Sequence, residues 1–84
     1  MTDHTNRILK KIFIEIECYQ KAEINEKALM RYLEPQVSAI EEASIRQILD
    51  DFILKIEESL YLFNEKDGKV FLLDKIAELK NIFS

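Results

Sequence analysis

The stretch "IFIEIECY", Ile12 to Tyr19, admits two readings, and the choice between them sets the fold class. Ile14, Glu15, Ile16, Glu17 and Cys18 alternate apolar and polar, which is the period of a half-buried strand. At about 100° per residue, however, Ile8, Leu9, Ile12, Phe13, Ile16 and Tyr19 fall within one broad arc. The alternation lasts five residues, whereas the helical pattern runs from Ile8 to Tyr19 and includes six apolar positions. The longer period predicts a helix, with Thr2, Asp3 and Thr5 available as caps ahead of it. Ile14 and Cys18 are left on a second, narrower stripe. That stripe must meet another surface, a second copy in a symmetric dimer or the last helix of the same chain, or else stay partly exposed.

The same reasoning extends along the chain. Asn25 is a good N-cap, and Ala28, Leu29, Tyr32 and Leu33 follow as a buried side. Pro35 interrupts, since it lacks an N–H and disfavours a helical residue before it. Val37 and Ile40 nevertheless keep the phase, which predicts either a kinked helix or a new short helix with Pro35 in its first turn. Ile45, Ile48, Leu49, Phe52, Ile53, Ile56, Leu60 and Phe63 form the next arc. Its phase breaks near Ala43, where Ser44-Ile45-Arg46-Gln47 has capping-box spacing. Ser38-Ala39-Ile40-Glu41 has the same spacing and would cap the preceding piece.

"NEKDG", Asn64 to Gly68, reads as the clearest turn. Beyond it, Leu72, Leu73, Ile76, Leu79 and Phe83 predict an amphipathic helix, although Val70 and Phe71 fit its phase poorly. The alternative pairs "SLYLF" with "KVFLL" as a β-hairpin across Asn64–Gly68, with Asp74 capping a shorter last helix. The expected fold is therefore all-α, a small bundle of four to five helices in one domain over residues 1–84; the alternative is α+β with a C-terminal hairpin.

Composition agrees with a small helical domain. One Gly and one Pro in 84 residues leave little material for a turn-rich β-sandwich. Hydrophobic residues, at 48%, suffice for a core even though a chain this short buries only about 60–65% of its unfolded surface. No apolar run approaches the ~18 residues of a membrane span, and Met1 to Lys11 lack the pattern of a signal peptide. Cys18 is the only cysteine, so no internal disulfide forms and a reducing, cytoplasmic setting is expected. A formal charge of −4 lowers the expectation of nucleic-acid binding, which calls for clustered Lys and Arg.

Patterns that carry chemistry are sparse. His4 is the only histidine and sits near a terminus expected to fray. It stands fourteen residues from Cys18, too far to pair as base and nucleophile or to supply zinc-ligand spacing. No catalytic residue, metal or cofactor is expected. A calcium-loop frame that puts Gly68 in the sixth position starts on Phe63, which offers no oxygen, and ends on Asp74 in place of Glu. A DNA-reading helix pair between Asn25 and Leu49 would present Glu41, Glu42, Asp50 and Asp51 to phosphates, the wrong sign. Cys18 has Glu15 and Glu17 beside it and no cation, which favours a packed thiol over a redox thiolate.

One surface invites a sharper expectation. Opposite the buried arc of the third helix lie Leu54 and Tyr61, with Asp50, Asp51, Glu57 and Glu58 around them. Apolar anchors in a polar rim are where binding energy concentrates. The plainer expectation is a solvated acidic face, with both anchors covered by a neighbouring helix. The functional reading is a non-catalytic protein-binding domain, an acidic inhibitor of immunity or antitoxin type that occludes a basic protein surface. The alternative is a structural homodimer or a subunit of a larger assembly, associating through Ile14 and Cys18.

Overall fold

The computed structural model describes all residues, Met1–Ser84, and contains four helices and no strand. They are α1 (Asp3–Gln20), α2 (Glu26–Ser38), α3 (Ala43–Tyr61) and α4 (Glu65–Phe83). The connections are short, so each helix turns back and packs on the one before it. Thr2 at the start of α1 touches Glu42 at the start of α3, so these two helices run the same way and α2 and α4 run against them. α4 returns to α1, where Phe83 meets Phe13 edge-on at 5.9 Å and Lys80 Nζ donates to Gln20 Oε1 at 2.9 Å. Going round the bundle, α1 and α3 are therefore diagonal, each flanked by α2 and α4. The molecule measures 38 × 23 × 22 Å.

"IFIEIECY" is helix throughout. Ile8, Leu9, Ile12, Ile16 and Tyr19 are buried, and Phe13 packs at the margin of the core. The Thr2 hydroxyl accepts from the Thr5 N–H at 3.1 Å and caps the helix. At its other end the Glu23 N–H donates to Cys18 O at 2.9 Å and the Ala22 N–H to Tyr19 O at 3.0 Å. These are the two bonds of a Schellman termination, and they place Ala22 at φ 62°, the left-handed position that glycine normally fills.

Asn25 caps α2 through the Ala28 N–H, 2.9 Å. Pro35 neither ends this helix nor starts another; α2 runs through it to Ser38. Its ring lies on the exposed side while Leu29, Leu33 and Val37 face inward. Ala28, expected inside, is exposed. Ile40 is fully buried but lies past the helix end, and its carbonyl accepts from Arg46 Nη1 at 3.0 Å. Neither serine box caps a helix start: Ser38 is the last residue of α2, and Ser44 is not the N-cap of α3. That N-cap is Glu42, without a side-chain cap bond, and Ser44 already lies in the first turn.

The largest correction concerns Asn64–Gly68. No hairpin forms there: Ser59 to Tyr61 of "SLYLF" are the last residues of α3, and "KVFLL" lies inside α4. Asn64 is the N-cap, accepting from the Asp67 N–H at 2.8 Å, and Glu65 to Gly68 are the first helical turn. The calcium-loop frame is thus helical from Glu65 onward, and Asp74 caps nothing. Gly68 is buried where α4 crosses α3, and a β-carbon there would run into the Ser59 carbonyl oxygen. Ser59 is itself buried, its hydroxyl donating to Ile56 O at 2.6 Å. Two small residues let the helices approach closely at this level, a demand that outweighs the turn-forming tendency of glycine.

Candidate functional site

α3 positions the candidate face. Leu49, Phe52, Ile56 and Ser59 fix its inward side, so residues half a turn away are turned outward by the helical period alone. Leu54 is 50% exposed and Tyr61 75%; neither α1 nor α4 covers them. Asp50, Asp51 and Glu57 are exposed and Glu58 is half-buried. All six expected residues are therefore brought onto the outer side of one helix.

The acids differ in their engagement. Asp51 Oδ1 accepts from Gln47 Nε2 at 3.0 Å, and Glu58 pairs with Lys55 Nζ at 3.4 Å. Asp50 and Glu57 make no ion pair or side-chain hydrogen bond. The charge balance around them is uneven along the chain. Between Glu41 and Glu58 stand six acids and two bases, while the remainder of the chain carries ten of each. The whole formal charge of −4 thus lies on α3 and the segment leading into it.

An apolar corner continues this face and escaped sequence reasoning. Leu62 is 71% exposed. Phe63, assigned to the buried arc by its phase, is 40% exposed and stacks on Phe71 with ring centroids 4.8 Å apart. The helix ends at Tyr61, and beyond its end the helical phase no longer says where a side chain points. The signal was present in "YLF": three consecutive large apolar residues cannot all face one side of a helix.

The other singled-out residues are scattered. Ile14 is largely exposed on α1 and Cys18 is half-buried. Partial burial, with the Glu23 and Glu15 carboxylates nearby, pushes the Cys18 thiol above its ordinary value, keeping it protonated. His4 belongs to the first turn of α1; it and Cys18 are about 21 Å apart along the axis. No group of three His, Cys, Asp or Glu side chains converges on a common point. The largest groove, about 500 Å³, lies away from α3, between the start of α1 and the end of α4. No helix is long and apolar enough to cross a membrane.

No protein-family model matches the chain, and neither a curated protein nor a solved structure matches it.

Proposed function

We propose that this chain is a protein-binding domain without chemistry of its own, and that the outer face of α3 docks a basic protein surface and occludes it. An inhibitor of immunity or antitoxin type works in this way. The observation that carries the reading is the coincidence on one helix side of exposed Leu54 and Tyr61 with the segment that holds the entire net charge. Each feature has its own work. Leu54 and Tyr61 supply contact area that is desolvated on binding and so set the dissociation rate. Asp50 and Glu57, unpaired and in water, raise the encounter rate with a positive surface.

The test compares wild type with a Leu54→Ala/Tyr61→Ala variant as baits, each immobilised through its C-terminus. A basic protein retained by wild type and lost by the variant supports the reading, provided that the purified pair then binds with a salt-dependent association rate. Equal retention by both baits moves the site elsewhere. A second reading, a subunit of a homo-oligomer, is favoured by Ile14, an isoleucine 62% exposed on α1.

A further inference from the structure

We propose that the α3 face docks a second copy of this chain, receiving the cationic strip Arg7, Lys10, Lys11 and Ile14 of α1. The proposal rests on the reading of α3 as a docking face and names an occupant for it.

α1 carries the counterpart of what α3 displays. Ile14 is the exposed apolar residue of that helix, and Arg7, Lys10 and Lys11 are exposed beside it without ion pairs. The helical spacing matches residue for residue. Counting from Ile14 toward the N-terminus, Lys11, Lys10 and Arg7 stand three, four and seven positions away. Counting from Leu54 toward the C-terminus, Glu57, Glu58 and Tyr61 stand at the same three distances. On a helix such positions share a face and flank its centre line on both sides. Two helices laid antiparallel with Ile14 on Leu54 therefore bring Lys11 to Glu58 on one side of the seam, Lys10 to Glu57 on the other, and the Arg7 guanidinium over the Tyr61 ring. Apolar meets apolar at the centre, each cation meets an anion, and the arginine meets the aromatic face it is suited to.

The architecture dictates the symmetry. α1 and α3 are diagonal in the bundle, so their outer faces point to opposite sides of the molecule. One copy cannot give its α1 and its α3 to the same neighbour. The contact is heterologous, each copy accepting one neighbour on α3 and offering α1 to another, so copies add in series. A single helix pair is smaller than a standard interface, so the association belongs to the weak class.

Sedimentation equilibrium tests this with purified chain. At about 0.5 mM protein, in the range of a weak contact, the weight-average mass should exceed twice that of the 10.0 kDa chain. This should occur at about 0.01 M ionic strength, where screening reaches ~30 Å, and mass should fall to one chain at about 1 M salt. Ile14→Glu alone and Leu54→Glu alone should each be monomeric. Their equimolar mixture should form a one-to-one pair and stop there, because one variant keeps only the α3 face and the other only the α1 face. Circular dichroism melts check that both variants fold, and Lys10→Ala/Lys11→Ala mixed with Glu57→Gln/Glu58→Gln repeats the design with gentler changes. Self-association that survives Leu54→Glu, or a mixture that stays monomeric, overturns the proposal. So does a wild type that is monomeric throughout. That last result leaves the α3 face open to a foreign basic protein, which the bait comparison reads separately.

Discussion

Ala22 is the one residue other than glycine at positive φ, and its position is dictated by the two hydrogen bonds that end α1. A left-handed conformation costs an L-residue about 1–2 kcal/mol that glycine escapes, partly offset by glycine's greater freedom in the unfolded chain. Ala22→Gly should therefore stabilise the fold by about 0.5–1 kcal/mol, read as a higher urea midpoint at unchanged slope. A second residue tells the opposite story. Tyr19 is 1% exposed, and its hydroxyl lies beside the Glu26 carboxylate without meeting it in hydrogen-bond geometry. Burial, with the Glu26 carboxylate beside it, pushes the phenol well above its ordinary value. Burying a hydroxyl without a partner costs about 1–3 kcal/mol, which phenylalanine avoids while keeping the ring. Tyr19→Phe should thus leave stability unchanged or raise it by up to about 1 kcal/mol in the same assay. A loss greater than that would show that the hydroxyl is partnered in solution.

Among the elements, α4 shows where periodicity stops being a guide. α1 was legible because its apolar arc is long and unbroken, and Asn25 announced α2 by its cap. Pro35 and Gly68 read as breakers because each disfavours a helix taken alone. Both are tolerated for reasons that only packing supplies: Pro35 points to solvent, and Gly68 sits at the crossing with Ser59. The outer face of α3 was legible for the same reason as α1, since a strong inward arc fixes its opposite. The corner at Leu62 and Phe63 was not, because it lies beyond the last helical turn. The crossing yields a prediction against helix propensity. Alanine at position 68 gains about 1 kcal/mol as a helix former. Its β-carbon, however, meets backbone at Ser59 O and not a side chain that could swing away, and overpacking of this kind costs up to about 3 kcal/mol. Gly68→Ala should lower stability by roughly 1–2 kcal/mol. A stabilised variant would mean that α3 and α4 separate at that level without cost.

At the scale of the whole molecule, core and surface should separate cleanly under mutation. Phe52 is 4% exposed at the centre of the inward side of α3, and truncation to Ala should cost about 3–5 kcal/mol. Leu54→Ala, two residues away but turned outward, should change stability by no more than about 0.5 kcal/mol. Thermal melts of the two variants side by side test that orientation. Acid should weaken the fold through Glu42, whose Oε1 accepts from the Thr2 N–H and the Thr2 hydroxyl, both at 3.2 Å, and so fastens α1 to the start of α3. The Thr5 hydroxyl, the Thr2 N–H and the Thr2 hydroxyl hold this carboxyl below its usual value of 4.5. Because the folded state binds the proton less readily, the contribution is fully present above about pH 4.5 and is lost as pH falls through the lowered folded value. Urea midpoints of Glu42→Gln should accordingly change less across that window than those of wild type. The serial order of packing, each helix against its predecessor across a short connection, carries a consequence for time. Most contacts close between residues near one another in the chain, so little loop entropy is lost before they form. Such a topology assembles within microseconds to milliseconds. Stopped-flow refolding monitored by tyrosine fluorescence should find the reaction almost complete within its first millisecond or so, and temperature-jump relaxation should resolve the single phase that mixing cannot.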